Sequence, residues 1–234
     1  MATLRREDFW ADPNVEFVNE IAFRAHVYEM ALHEKERLAL GRVEGQHRLP
    51  SGKTILCTIY GDGVIRAGTR PTGSFLLSDE RNVEVDEDFR SNNCWYDQDG
   101  QAIMAFTFPT LFTTYERKMA DKVIRDYWPE AWERVNRRVL DVSESREKAR
   151  REFRREHATD FVTVWAIDSY FFEDMVEVIA LPGGDLMRDG EERSFLVPKG
   201  EYQTRTRWGF VIDEGRHQAY HGPSSFKIVK DLHR

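Results

Sequence analysis

The stretch KTILCTIYGDGVIRAG, residues 53–68, sets two short apolar-rich runs on either side of a tight GDG turn. Gly and Asp supply the backbone freedom that a tight connection needs, and the flanking runs have strand composition, so the stretch predicts a β-hairpin. GSFLLS follows at 73–78 after TRPTG, giving three short antiparallel strands. A sheet begun by hairpins points away from the doubly wound parallel class. No strict βαβ alternation and no GxGxxG or P-loop phrase occurs to restore it.

Helical periodicity lies on either side of this block. Across residues 14–40, Val18, Ile21, Ala25, Tyr28 and Leu32 step by three and four, which is one face of a helix ending near Gly41. That face needs a partner surface, on the body of the protein or on another protein, and packing on the body is the ordinary outcome. Residues 116–128 predict a second helix with Ala120, Val123, Ile124 and Tyr127 on one side, and Pro129 restarts it at WPEAWERVNRR. SESREKARREFRREH, residues 143–157, reads as a solvent-facing helix anchored by Phe153. Its capping signal is Ser143, and Glu147 and Arg151 form an i,i+4 pair. Its six basic residues invite a nucleic-acid reading, but neighbouring carboxylates cancel them one for one.

The remaining segments read as strands and turns. DERNVEVDEDFRSNN, residues 79–93, is an acidic loop or short helix that lacks the ligand register of a calcium loop. CWYDQDGQAIMAFTFP places a D-x-D-G turn before an apolar run, predicting a strand from Ala102 to Phe108. DFVTVWAID, MVEVIAL, RSFLVP and RWGFVID predict strands in the last third. The order supports an α+β fold with mainly antiparallel sheets. It divides into an N-terminal helical segment, 1–47, and an α+β domain, 48–234, with β structure at 48–112, helices at 116–157 and β structure again at 161–213.

At 234 residues the chain can bury a sizeable core, and 15 Phe, 8 Tyr and 6 Trp argue against disorder. A net charge of −7 disfavours indiscriminate nucleic-acid binding, which depends on cationic side chains. Cys57 and Cys94 are far apart and belong to no CxxC cluster, the polar first residues do not resemble a signal peptide, and no window is apolar enough to span a bilayer. The expectation is a cytoplasmic protein without membrane association.

Three groups of residues are candidates for chemistry. In VIDEGRHQAYHGPSS, Asp213, His217 and His221 are spaced by four, which on a helix would stack a carboxylate and two imidazoles suited to zinc or another divalent metal. Gly215, Gly222 and Pro223 leave barely two turns for that helix, so the competing expectation is a strand end and turn, no cofactor, and His217 as a contact for a partner. TRTRWGF alternates Arg205 and Arg207 into Trp208, a combination suited to stacking or phosphate contact, and also to an ordinary cationic edge strand. Asp97 and Asp99 are a further metal pair or, more simply, turn residues. Cys94 beside Trp95 is the better placed thiol, and no G-x-S-x-G elbow is present for serine chemistry.

Four phrases occur together in one order: TRPTGSFLLSDERN, CWYDQDGQAIMAFTFPTLF, WPEAWE and FLVPKGEYQTRTRWGFVIDEGRH. Over about residues 48–220 the chain resembles an uncharacterised family, known only as a domain of unknown function, of proteobacterial chromosomes, plasmids and phages. Where that family commonly has T-P-S-H-G-G, this chain has TRPTGS, with Thr72 at the histidine. Where it has W-Y-E-E-D-C, this chain has WYDQDG, keeping Asp99 and placing Gly100 at the cysteine. The resemblance implies a mobile-element setting and no known activity. The expectation is a non-enzymatic accessory protein that binds a host or element-encoded protein, for example an inhibitor of a host defence complex. The alternative is a metal-dependent hydrolase or nuclease using Asp213, His217 and His221, or Asp97 and Asp99, with metal-activated water.

Overall fold

The predicted hairpin grammar is realised in a computed structural model describing residues 20–49, 51–68, 73–97, 99–186 and 192–232. Thr72 and the predicted helical residues before Glu20 lie outside the described residues. The fold is α+β, in two units, Met1–Arg138 and Val139–Arg234.

The first unit opens with helix α1, Glu20–Ala39, and continues into an antiparallel meander. Its strands are β1 (Val43–Arg48), β2 (Thr54–Gly61), β3 (Val64–Ala67), β4 (Phe75–Leu77) and β5 (Trp95–Tyr96), hydrogen-bonded in that order. β1 falls inside the segment assigned to helix by sequence, because Gly41 ends α1 at φ +63 and the chain then pairs Val43 with Ile59. The acidic run after β4 becomes α2, Asp79–Asn82, capped by the Ser78 hydroxyl, followed by turns. Arg90 folds back on the Val85 carbonyl through Nη2 at 2.6 Å, and Arg134 bridges Asp86 and Asp88 at 2.6 and 2.7 Å.

The predicted strand from Ala102 to Phe108 is a helix, α3, Gly100–Thr107. A short run that is apolar on all sides does not distinguish a buried strand from a buried helix by period, and Gln101, Ala102, Met104 and Ala105 are strong helix formers. Ile103, Met104 and Ala105 are buried. Pro109 opens a 3-10 turn that leads to α4, Thr114–Tyr127, and Pro129 starts α5, Pro129–Asn136. The expected face of α4 buries Ala120 and Ile124 with Val123 half-buried, while Tyr127 stays exposed. The core is aromatic at its centre, with Tyr60, Phe75 and Phe112 in mutual contact at centroid distances of 5.1 to 6.1 Å.

A buried ion pair sits against this cluster. Arg42, in the link from α1 to β1, forms a two-pronged bond to Glu116 of α4 at 3.0 and 2.6 Å, with side chains only 8% and 7% exposed. Arg42 also donates to the Leu111 carbonyl at 2.9 Å and lies 4.0 Å over the Tyr60 ring. Glu116 completes a capping box, accepting from the Thr113 N–H at 2.8 Å while the Thr113 hydroxyl accepts from the Glu116 N–H at 3.2 Å.

In the second unit, Ser145 caps α6, Arg146–Glu156, two residues later than the sequence signal at Ser143. A 3-10 turn, Val142–Glu144, occupies the earlier positions. As expected, α6 buries no residue, and Glu147 pairs with Arg150 and Arg151 at 2.7 and 2.9 Å. Strands β6 (Phe161–Asp168), β7 (Met175–Pro182) and β8 (Arg193–Pro198) form a three-stranded antiparallel meander. Short helix α7, Lys199–Tyr202, follows, and α8, Ser225–Leu232, is the last element. Phe161, Val176, Val178, Ala180, Phe195, Val197 and Ile212 make the core. The predicted strand RWGFVID meets β6 only through the bridge Val162–Val211. Its ladder is interrupted because β6 is irregular between Thr163 and Trp165, and the Phe210 N–H is taken by the Thr163 hydroxyl at 2.9 Å.

Burial alone would raise the Glu116 carboxyl, but bonds from Arg42 and the Thr113 N–H outweigh it and hold the group below its ordinary value of 4.5. A depressed folded value means that the stabilisation is complete above the ordinary carboxylate range and is lost as pH falls through the folded value. Glu116→Gln leaves the Arg42 charge buried without its counter-charge, so unfolding in urea at pH 7 should show a loss of about 3–5 kcal/mol. The gap between wild type and variant should narrow at pH 3.

Candidate functional site

The turn Thr206–Gly209, which carries Arg207 and Trp208, closes on itself before it meets anything else. The Trp208 N–H donates to the Thr206 hydroxyl at 3.1 Å, and that hydroxyl donates to the Gly209 carbonyl at 3.0 Å. Gly209 adopts φ +125, and a Cβ there would lie 2.7 Å from the Thr163 carbonyl, so only glycine lets the turn lie this close to β6. The result is a fixed platform beside a cavity of about 350 Å³ lined by Thr163, Val164, Leu186, Tyr202, Arg205 and Arg207 among others.

The structure therefore brings three of the four predicted binding residues, Arg205, Arg207 and Trp208, to one cavity. Their guanidinium groups rest on rings: Arg205 lies 4.7 Å from the Tyr202 centroid, and Arg207 and Arg146 each lie 5.6 Å from the Trp208 centroid. The alternation R-x-R-W was legible in the sequence. Tyr202 and Arg146 were not, because α7 and α6 contribute them from outside that phrase.

His217, the fourth residue, is separate and buried, with 5% exposure. Its Nδ1 accepts from the Asp213 N–H at 3.2 Å, which leaves the proton on Nε2, 3.3 Å from the Glu201 carboxylate, and its ring meets Phe210 edge-on at 5.5 Å. Nδ1 thus closes the 213–217 turn on itself, and Nε2 ties that turn to α7. Asp213, His217 and His221 do not share a helix face. One turn forms, from the Asp213 carbonyl to the His217 N–H at 2.7 Å. The chain then runs out to β8, where the Tyr220 N–H donates to the Ser194 carbonyl at 2.7 Å, and His221 is exposed. Gly215 is the physical reason: its N–H turns back to the Asp213 carboxylate at 3.0 Å instead of continuing a helix.

Asp97 and Asp99 do not converge as a metal pair. Asp97 accepts from the Ser74 hydroxyl and from the Trp95 indole at 2.7 Å, and these bonds hold its carboxyl below the usual carboxylate range. Asp99 takes a left-handed φ of 58 at the entry to α3. Among the described residues, no three His, Cys, Asp or Glu side chains group as a metal ion would require.

Cys57 is a buried strand residue, as its apolar setting implies. Cys94 lines a cavity of about 420 Å³ that His47, Asp79 and Asn93 also line, a juxtaposition invisible in sequence because 47 residues separate the histidine from the thiol. Desolvation, and then the Asp79 carboxylate that accepts from the thiol at 3.4 Å, push the Cys94 thiol upward, away from the thiolate that nucleophilic chemistry uses.

These roles predict unequal costs for the two histidines. His217→Ala, which empties a buried site and removes its two part-buried hydrogen bonds, should lower stability by roughly 1–3 kcal/mol in urea unfolding. His221→Ala should stay within about 0.5 kcal/mol of wild type. Equal losses would contradict the separation of the two residues.

No curated protein and no solved structure matches the chain. One family model matches a segment that begins inside β1 and ends just beyond α6, so Arg205, Arg207, Trp208 and His217 lie outside it, while Asp97, Asp99, Cys94 and the buried Arg42 partner Glu116 lie within it. That segment, residues 46–158 and just under half of the chain, matches the family model Domain of unknown function (DUF7007), so it is similar to that uncharacterised family.

Proposed function

We propose that this protein is a non-enzymatic binding protein that contacts another protein through the exposed apolar stripe of α1. The observation that carries the reading is the exposure of residues that periodicity assigns to a buried face. Ile21 is 79% exposed, Tyr28 73% and Leu32 40%, with Ala25 exposed between them. α1 buries no residue at all.

The helix is nonetheless held in place, by a different face. His33 Nδ1 lies 2.7 Å from the Thr113 hydroxyl, Glu36 accepts from the Thr114 N–H at 2.5 Å, and Lys118 pairs with Glu29 at 2.5 Å. A helix fixed through Glu29, His33 and Glu36 presents Ile21, Ala25, Tyr28 and Leu32 outward at i, i+4, i+7 and i+11, the spacing by which an amphipathic helix enters an apolar groove. Complete burial of large apolar side chains such as these is worth roughly 1.5–3 kcal/mol each, which supports a specific contact. The family resemblance supports a mobile-element setting in which the partner is a host or element-encoded protein, for instance a component of a defence complex.

The test is affinity capture from host lysate with the full chain and with an Ile21→Asp, Leu32→Asp double variant. Recovery of a specific partner should fall at least tenfold in the variant, with a melting temperature within about 2 °C of wild type because exposed substitutions cost little. A partner retained by the double variant, or none captured by wild type, would overturn the reading.

A further inference from the structure

We infer that the cavity beside Trp208 is a binding site for a phosphomonoester anion, held by Arg205 and Arg207. This goes beyond the α1 contact and does not depend on it, since every residue used here belongs to the second unit.

The first ground is how the arginines are partnered. The chain has 41 acidic and 34 basic side chains, so a carboxylate is the ordinary neighbour of an arginine. Arg150 and Arg151 pair with Glu147, Arg193 with Glu214 and Arg216 with Glu201. Arg205 and Arg207 form no ion pair among the described residues and lie against Tyr202 and Trp208. A carboxylate orients a guanidinium and cancels its charge. An aromatic ring orients it and leaves both the charge and the forked donors available to an external anion.

The second ground is the composition and rigidity of the cavity wall. Among the described residues, the wall of Thr163, Val164, Gly184, Leu186, Tyr202, Arg205, Thr206, Arg207, Trp208 and Gly209 includes two cations and no carboxylate. The Thr163 and Thr206 hydroxyls are committed to the backbone of the turn, and Arg205 Nη1 makes a long 3.5 Å bond to the Tyr202 carbonyl, so the rest of the two guanidinium forks are the donors left for a ligand. Because the turn is already closed by those bonds, little ordering is needed on binding.

Charge and size select the ligand class. A phosphomonoester carries about −1.5 to −2 at pH 7, matching two guanidinium groups, whereas a single carboxylate would leave one unmatched. A cavity of about 350 Å³ is at the small end of the range for organic ligands. Val164, Leu186 and the aromatic rings provide the apolar wall for the organic part of the ester. The phosphate can come from a free nucleoside monophosphate or from the 5′ end of a single strand.

The experiment is isothermal titration of the full chain at low salt with adenosine 5′-monophosphate. Adenosine and 5′-phosphorylated and 5′-hydroxyl forms of one short oligothymidylate are the comparison ligands. Adenosine monophosphate or the phosphorylated strand should bind, adenosine should not, and affinity should fall as salt rises. Arg205→Gln and Arg207→Gln should each weaken binding tenfold or more, and Arg216→Gln, at a paired arginine, should leave it within twofold. Both cavity arginines are exposed, so unchanged melting temperatures separate lost binding from lost folding. Tighter binding of the phosphorylated strand than of the mononucleotide assigns the strand end as the source, and the reverse order or equality assigns the free nucleotide. Binding of the strand irrespective of its 5′ phosphate, no binding of either phosphorylated probe at millimolar concentration, or binding that survives both glutamine variants would overturn the inference.

Discussion

The first unit depends on the buried Arg42–Glu116 pair. Two charges removed from water are costly unless every remaining donor and acceptor is satisfied. Here most of them are satisfied from all around, with the Arg42 Nε the one donor of the pair that stays buried without a partner among the described residues. Glu116 accepts from Arg42 and from the Thr113 N–H, while Arg42 also reaches the Leu111 carbonyl and stacks on Tyr60. The pair thereby ties the link from α1, the 3-10 turn before α4, the first turn of α4 and the aromatic core into one arrangement. Apolar burial supplies the bulk of the driving force in such a core, and the ion pair joins these segments by directional bonds.

The second unit uses a buried carboxylate in a related way. Glu177 on β7 is 1% exposed, and its two oxygens accept from the Ser224 hydroxyl at 2.7 Å and the Ser225 N–H at 2.6 Å. It satisfies an otherwise orphaned donor at the start of α8 from 48 residues away in sequence. The buried Ser225 hydroxyl in turn accepts from the Tyr170 N–H at 3.1 Å. His217 belongs to the same class of device, a polar side chain whose every site is spent on joining segments.

What the sequence disclosed and what it hid follow from the range of the interactions involved. GDG at 61–63 announced its hairpin because turn chemistry is local, and Pro129 announced α5 for the same reason. The run 100–107 did not announce a helix, because its all-round apolarity reflects burial, and burial is decided by the rest of the unit. RWGFVID has strand composition, yet a hydroxyl on Thr163 competes for the N–H that a ladder would use. Arg205, Arg207 and Trp208 could be read together from three nearly adjacent positions. That Tyr202 and Trp208 would replace carboxylates as their partners depended on tertiary contacts. His47 beside the Cys94 cavity is the extreme case, since nothing within either local phrase points to the other.

The α1 helix shows most directly why a correct period can be given the wrong meaning. Ile21, Ala25, Tyr28 and Leu32 do share a face, and periodicity finds it. Periodicity assigns that face to the body on the premise that apolar residues dock helices. The start of α4 offers a different surface: unpaired N–H groups, hydroxyls and the positive end of a helix dipole, all of which favour carboxylates and hydrogen-bonding rings. Glu29, His33 and Glu36 recur at i, i+4 and i+7 and answer that surface group by group. The hydrogen bond from the Thr114 N–H, the largest contributor, holds the Glu36 carboxyl below its ordinary range, so the charged form persists further into acid. With the inward side of α1 taken by Glu29, His33 and Glu36 and by the half-buried Phe23, Val27 and Met30, the exposed stripe has no use inside the unit. The exposure of Ile21, Tyr28 and Leu32 in place of polar residues is the observation on which the proposed partner contact rests.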